Sequence, residues 1–263
     1  MDATDADGDN FTAIKGLRAA PDMTLKDSID FLIFRVVDLQ GIDLETDAYL
    51  ATKWARKHPD AVLNTEQVAA IYFYTLETNK FYSTLNRGMI ARSRAILLPF
   101  FPYLKLFCGG LYLLPLPATP QTIYRGVKRH LYGNSNNGDD LIFWCFSSAT
   151  ASVEVLSEFL GQEGERTQLL IATRSYVDIR RFSAYPLEDE RLFLPGTMLS
   201  LKSKLNCGHG LIQIQLCDQP GPPLMDFSHP QLHGPTTAMT MAVGAIQVNP
   251  IIIPQVLFFS STQ

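Results

Sequence analysis

The first half of the chain places its apolar residues at spacings of three and four, which is the repeat of an amphipathic helix. The clearest helix begins after Asn64, whose side chain can cap the first turn while Gln67, three residues later, completes a capping box. The apolar stripe of this helix comprises Val68, Ile71, Tyr72 and Leu76. Further helices are predicted over residues 26–37, 47–57, 80–94 and 103–113. Residues up to about 114 are therefore predicted to be mostly helical.

Beyond Pro115 the pattern changes to short runs of β-branched and aromatic residues. The strongest alternation is LIQIQL at residues 211–216, which is typical of a half-buried strand. Other strands are predicted over residues 122–127, 141–147, 169–173 and from 192. One helix, residues 152–160, is predicted between them, capped by Ser152 and ended by Gly161. Helices followed by short strands predict an α+β fold.

Charge divides the chain into three parts. The first 60 residues contain 12 acidic and 7 basic residues, whereas no residue after Asp226 is formally charged. With 46% hydrophobic residues the chain can bury enough surface to fold, but the uncharged tail contains several prolines and is predicted to be extended or disordered. The overall net charge of −4 argues against nucleic acid as the main partner, because duplex binding needs a basic surface.

Signals for export, membrane insertion and metal binding are weak. The N-terminus is acidic where a signal peptide would be basic, and the uncharged run at residues 106–124 is interrupted by glycines and prolines. The four cysteines and five histidines lack metal-ligand spacing. Cys207 and Cys217 could face each other across a hairpin, but buried free thiols are the preferred interpretation. We therefore expect a cytoplasmic protein with no transmembrane segment and no metal; its oligomeric state is left open.

Two short stretches of the β-rich part contain groups that can bind a ligand. Arg125 lies in a predicted strand and is either a solvent-exposed residue at a strand edge or a fixed fork for a phosphate, with Gly126 letting the ligand approach the backbone. FSSAT at residues 146–150 is either a set of turn and capping residues or the source of a hydroxyl that orients a carboxylate. No Gly-x-Ser-x-Gly motif accompanies it, which disfavours a serine nucleophile.

Three consecutive acidic residues, 188–190, precede the predicted strand that begins at residue 192. Strands disfavour acidic residues, so these are either a solvated loop or a functional group. In an extended segment Glu188 and Glu190 point to the same side. Two carboxylates on one face suit chemistry at the anomeric carbon of a sugar, where one stabilises an oxocarbenium-like centre and the other handles a proton.

Together these stretches resemble the arginine–serine–glutamate signature of the mono-ADP-ribosyltransferases that modify arginine. The order matches that family, with Arg125 on the first strand, Ser148 opening a Ser-Ala-Thr triplet, and Glu188-x-Glu190 at the start of a later strand. The flanking stretches SVEVL at residues 152–156 and LFLPGT at residues 192–197 are also similar to the family. The resemblance covers about residues 60–218.

The resemblance implies an α+β fold with an ADP-ribosyltransferase-like split β-sheet core and a helical N-terminal region. Combined with the charge pattern, it predicts an acidic segment over residues 1–59 and an ADP-ribosyltransferase domain over residues 60–218. Within that domain, residues 60–114 would be helical and residues 115–218 would form the β-rich, NAD-binding part. Residues 219–263 would form the tail.

The implied activity is transfer of ADP-ribose from NAD, the co-substrate, to an exposed arginine of a protein substrate, with release of nicotinamide. Arg125, with Gly126 beside it, would hold the NAD pyrophosphate and nicotinamide ribose, and Ser148 would hydrogen-bond the glutamate. Glu190 would bind the ribose 2′-hydroxyl and stabilise the cation that forms as nicotinamide leaves. Glu188 would activate the incoming guanidine.

The resemblance also implies roles for two aromatic residues. Phe159 would lie against the nicotinamide ring or, equally, be a core position of its helix. Tyr185, near the tip of the loop at residues 178–189, would contact the protein substrate.

Two features, which involve three positions, depart from the family pattern. The family commonly has Ser-Thr-Ser where this chain has Ser148, Ala149 and Thr150, and it has an aliphatic residue where this chain has Arg191. A cation beside Glu190 would favour its charged form. Two alternatives to a transferase stay open, namely an NAD glycohydrolase on the same scaffold and a non-catalytic binding or interaction module.

Overall fold

The computed structural model describes residue 14 and residues 16–76, 80–91, 93–131 and 137–221. The chain divides into two compact units between Leu114 and Pro115, and the short segment Arg181–Tyr185 belongs to the first unit. Residues 1–13 and most of the tail, from residue 222 onward, lie outside the described residues, so the prediction of an extended or disordered tail stays a prediction.

The first unit is helical. Its helices are α1 (Leu25–Ile33), α2 (Leu44–Lys57), α3 (Thr65–Tyr74), α4 (Phe81–Ile90) and α5 (Phe101–Leu113). The capping box predicted at the start of α3 is present, because Asn64 Oδ1 accepts from the Gln67 N–H at 2.9 Å and Gln67 Oε1 accepts from the Asn64 N–H at 3.0 Å. Six of the ten residues of α3 are buried, so it is a central helix. Of the predicted apolar stripe, Val68 and Ile71 are buried, Tyr72 is half-buried, and Leu76 lies beyond the end of the helix.

In its described residues, the second unit is a mixed eight-stranded sheet with one α-helix. Its elements are β1 (Gln121–Val127), β2 (Asp140–Phe143), β3 (Ser147–Thr150), α6 (Val153–Leu160), β4 (Arg166–Thr173), β5 (Val177–Asp178), β6 (Glu190–Phe193), β7 (Thr197–Gly208) and β8 (Leu211–Asp218). The strand order is β2-β7-β8-β4-β1-β3-β6-β5, and only the β4–β8 pair is parallel. An apolar core lies on one face and includes Ile123, Leu169, Phe193 and Ile214. The α+β class predicted from the sequence is confirmed.

Two strands differ from the sequence prediction. The run 141–147 does not form one strand, because β2 ends at Phe143 and a separate strand, β3, begins at Ser147 where turn residues were expected. Strand β7 was not predicted, and from Lys202 onward its residues are mostly exposed, so it lacks the alternation that identifies a half-buried strand. Pairing with β8, and with β2 near its start, holds β7 in the sheet.

All four cysteines are free thiols, as preferred from the sequence, and the alternative in which Cys207 faces Cys217 across a hairpin is not realised. The register of β7 and β8 places Cys217 opposite Ser200, while Cys207 lies near the turn at the other end of the hairpin. Cys108 and Cys145 are buried free thiols, but Cys207 is exposed, so the expectation of buried thiols holds for only part of the set. Within the described ranges, none of the helices is both long enough and apolar enough to cross a membrane.

Candidate active site

Three adjacent strands bring the sequence-predicted site residues together. Strand β3 lies between β1 and β6, and its register places Thr150 opposite both Tyr124 and Glu190. Ser148 Oγ donates to Glu190 Oε1 at 2.7 Å, and Arg125 Nη1 donates to the carbonyl oxygen of Ser148. Hydrogen bonds therefore connect Arg125, Ser148 and Glu190 across 65 residues of sequence.

Arg125 is buried, with 1% of its surface exposed, and it lies on an interior strand of the sheet. The interpretation of Arg125 as a solvent-exposed residue at a strand edge is therefore wrong. A buried cation is costly unless polar groups compensate it, and the carbonyl of Ser148 is one such group. The site thus holds a buried guanidinium that is hydrogen-bonded to the backbone of Ser148, the residue whose hydroxyl contacts the half-buried Glu190 carboxylate.

The period-two argument assumed that the segment from Glu188 to Glu190 is extended. In the structure this segment is a turn. Glu188 ends a short 3-10 turn, Pro186–Glu188, and Asp189 has a φ of 52° in the left-handed region. Since a strand begins only at Glu190, the two glutamates are placed by a turn and not by the alternation of a strand. The expectation that strand geometry aligns them is wrong.

Thr150 holds this turn, a role that sequence reasoning missed. Its hydroxyl donates to the carbonyl oxygen of Glu188 at 2.7 Å and accepts from the backbone N–H of Ser152 at 3.0 Å. The side chain is fully buried. The available signal was the hydroxyl of Thr150 at the third place of the Ser-Ala-Thr triplet. Residues two apart in a strand lie on the same face, so Thr150 shares a face with Ser148.

Arg191 does not place a cation beside the Glu190 carboxylate. It is the register partner of Ala149, on the face of the sheet opposite to Ser148 and Glu190. Its Nη1 lies 3.2 Å from Asp178 Oδ1 and 3.0 Å from Asp189 Oδ1. The charge of Arg191 is therefore directed to these two aspartates.

Gly126 and Phe159 pack directly against each other. A Cβ atom added to Gly126 would lie 2.6 Å from Phe159 Cδ1, so the Phe159 ring occupies the space a side chain would need. Phe159 is 7% exposed in a cluster with Leu156 and Leu160, and Lys128 Nζ lies 4.8 Å from its ring centroid. This packing gives a structural reason for a glycine at position 126.

Tyr185 is the last residue of the segment Arg181–Tyr185, which is part of the helical unit, and 36% of its surface is exposed. Two contacts hold that segment, because Arg181 Nη2 lies 3.0 Å from Asp60 Oδ2 and the Ala184 N–H donates to Thr75 Oγ1 at 2.9 Å. Leu187, 91% exposed and directly before Glu188, was not identified from the sequence.

The fold is similar to solved ADP-ribosyltransferases. HopU1 of Pseudomonas syringae pv. tomato matches at a TM-score of 0.55 and 18% identity over 76% of this chain and 99% of that one. The eucaryotic mono-ADP-ribosyltransferase ART2.2 matches at 0.53 and 19% identity, over 75% and 87%. Vis toxin of Vibrio splendidus matches at 0.50 and 17% identity, over 80% and 90%. At such identities these matches show the fold.

A comparison with curated protein sequences produced no significant match. The family model described as NAD:arginine ADP-ribosyltransferase matches residues 40–220, which is more than half of the chain. That match spans all three site strands, and the solved relatives share the fold on which the site is built. The chain therefore belongs to the NAD:arginine ADP-ribosyltransferase family, whose reaction is NAD-dependent transfer of ADP-ribose.

Proposed function

We propose that this protein transfers ADP-ribose from NAD to arginine side chains of a protein substrate and releases nicotinamide. The observation that carries the proposal is the hydrogen-bonded connection from Arg125 through Ser148 to Glu190. It supplies, on three neighbouring strands, a cation for the phosphates of NAD and a fixed carboxylate for the ribose.

Glu190 has the central role in this proposal. The bond between the ribose C1′ and the nicotinamide nitrogen breaks, and nicotinamide leaves with the electron pair. The positive charge that develops on the ribose is then stabilised by the Glu190 carboxylate, which also binds the 2′-hydroxyl. The short hydrogen bond from Ser148 holds the carboxylate in one orientation before the reaction, so no reorganisation is needed when the charge forms.

Glu188 would serve the acceptor step. A guanidine nitrogen of the acceptor forms the new bond to C1′, and Glu188 takes the proton that this nitrogen loses. Arginine as the acceptor is supported by the name of the matching family model and by a glutamate two residues before Glu190. The solved Vis structure in complex with agmatine contains a guanidine compound and suggests a suitable probe.

We assign Arg125 to the diphosphate of NAD; since only 1% of its surface is exposed, NAD must displace neighbouring groups to reach it. A guanidinium is permanently charged and presents its donors in a plane that matches phosphate oxygens. The hydrogen bond to the Ser148 carbonyl fixes the orientation of that plane. NAD when bound supplies the activated glycosidic bond, and the residues of this chain bind it, orient it and stabilise the charge that develops.

The test measures nicotinamide release from labelled NAD by the full chain, with and without agmatine, and identifies the products. We expect ADP-ribosyl-agmatine. Glu190→Gln should lower both transfer and hydrolysis by about a hundredfold or more, since it removes the stabilising charge. Glu188→Gln should lower transfer while sparing hydrolysis.

Glu158→Gln is the matched control, because it removes an exposed carboxylate of α6 in the same unit. Free ADP-ribose as the only product, with or without agmatine, would make the protein a glycohydrolase. NAD binding without any nicotinamide release would make it a binding module. Equal loss of both activities in Glu188→Gln would contradict the division of roles.

A further inference from the structure

We propose that Asp178, Arg180, Asp189 and Arg191 form an ion cluster that positions the turn carrying Glu188, and thereby sets the ratio of ADP-ribosyl transfer to NAD hydrolysis. This inference rests on the proposed function, which it extends by four positioning residues. None of the four belongs to the arginine–serine–glutamate set.

The cluster alternates acidic and basic groups at short distances. Asp189 Oδ1 lies 2.9 Å from Arg180 Nη1 and 3.0 Å from Arg191 Nη1. Asp178 Oδ1 lies 3.2 Å from Arg191 Nη1, and Asp178 Oδ2 lies 3.5 Å from Arg180 Nη2. The Arg191 side chain is only 8% exposed, so its pairs are much less screened by solvent than an ordinary surface ion pair.

The cluster joins the two ends of the loop that precedes Glu190. Asp178, the last residue of β5, is the register partner of Arg191 on β6. Arg191 Nη1 also lies 3.2 Å from the carbonyl oxygen of Asp189 and 3.3 Å from that of Glu190. One buried guanidinium thus contacts both the side chain and the backbone of Asp189, the residue with the left-handed φ of 52°.

The contact between Arg191 and Asp189 is important because Asp189 has a left-handed backbone conformation. A non-glycine residue adopts positive φ only when its surroundings stabilise it, although aspartate tolerates it better than most residues. Asp189 separates Glu188 from Glu190, so its backbone conformation determines where Glu188 lies relative to the strand. Arg191 and its register partner Ala149 are also two of the three positions that depart from the family pattern.

Glu188 depends on the cluster more than Glu190 does. Glu190 lies in β6, paired with Thr150 of β3, and its carboxylate accepts a hydrogen bond from Ser148. Glu188 lies outside the strands, where its carbonyl is held by Thr150 and the following residue is held by the cluster. Loosening the cluster should therefore displace Glu188 and impair the acceptor step, while the cleavage of NAD continues.

The experiment compares Arg191→Gln with the wild-type full chain for transfer to agmatine and for NAD hydrolysis without agmatine. We expect kcat for transfer to fall at least about tenfold, because a displacement of about 1 Å can cost up to ~100-fold. Hydrolysis and the KM for NAD should stay within about threefold of wild type, and Arg191→Lys should recover part of the transfer. Asp178→Asn, at a residue with a 43% exposed side chain, is a milder second variant if Arg191→Gln does not fold.

Arg166→Gln is the matched control. Arg166 is 6% exposed in the same unit and donates to the carbonyl oxygens of Gln162, Gly164 and His209, which lie outside the Glu188 turn. Its loss should affect stability but leave the ratio of transfer to hydrolysis unchanged. An equal fall of both activities in Arg191→Gln, or the same change of ratio in Arg166→Gln, would overturn the positioning role.

Amide hydrogen exchange of residues 187–190 separates this inference from the proposed function. We expect faster exchange in Arg191→Gln than in wild type or Arg166→Gln. If wild type forms no agmatine adduct, the proposed function fails, and the exchange rates still decide whether the cluster holds the turn. Unchanged exchange in Arg191→Gln would refute the cluster whatever the activity.

Discussion

Replacing Gly126 by alanine is expected to destabilise the β-rich unit, because the new methyl group would collide with Phe159. The added Cβ would lie 2.6 Å from Phe159 Cδ1, 2.9 Å from Phe159 Cε1 and 3.0 Å from Leu160 Cδ2. Favourable carbon–carbon contacts are about 3.5–4.0 Å, so the ring must move by about 1 Å. Phe159 is buried and cannot turn into solvent.

Overpacking of this kind costs about 1–3 kcal/mol. In a protein of this size that corresponds to a fall of roughly 2–10 °C in Tm, measured by thermal unfolding followed by circular dichroism. Gly88→Ala is the matched control, because the nearest atom to its added Cβ, Leu97 Cδ1, is 3.5 Å away. That change lies within helix α4 and should stabilise the protein by about 0.5–1 kcal/mol.

A second substitution tests the cause. Phe159→Leu in the Gly126→Ala background should recover part of the lost Tm, since leucine lacks the Cε atom and its shorter side chain can turn its Cδ atoms away from the new methyl group. A wild-type Tm in Gly126→Ala, or no recovery in the double variant, would refute the packing argument. A normal Tm together with a raised KM for NAD would instead support Gly126 as a position of close ligand approach.

Two further predictions concern polar contacts. Thr150→Val keeps the shape of the side chain but removes the hydroxyl that holds the Glu188 carbonyl. Transfer to agmatine should therefore fall more than NAD hydrolysis does, which is measured as the ratio of the two rates. An unchanged ratio would exclude this role. Burial raises the pKa of Asp60, but the N–H groups of Leu63 and Val62 and the charge of Arg181 outweigh it, so the pKa lies below its usual value. The resulting stability is present above the unfolded pKa of about 3.9 and is lost as pH falls through the lower folded pKa. Asp60→Asn should therefore lower the Tm at pH 7 and reduce its dependence on pH below about 4, whereas a curve parallel to wild type would contradict the assignment.

Elements with signals inside a few residues were predictable from the sequence. The start of α3 follows from Asn64 and Gln67, and α6 follows from Ser152, whose Oγ accepts from the Val155 N–H at 3.1 Å. Strand β3 was not predictable, because Ser-Ser-Ala-Thr has no strand pattern and is extended only between β1 and β6. The exposed part of β7 is a strand for the same reason, since pairing with β8 replaces the missing alternation.

For the site, the sequence by itself determined which residues are present and in which order, because a motif such as Glu188-x-Glu190 is a property of neighbouring positions. Only the tertiary structure decided that Arg125 is buried, that Thr150 holds the Glu188 turn and that Arg191 points away from the Glu190 carboxylate. Each of these depends on strands that are distant in sequence and adjacent in the sheet. Hydrogen bonds and ion pairs act over a few ångströms, so their partners are set by the register of those strands and not by spacing along the chain.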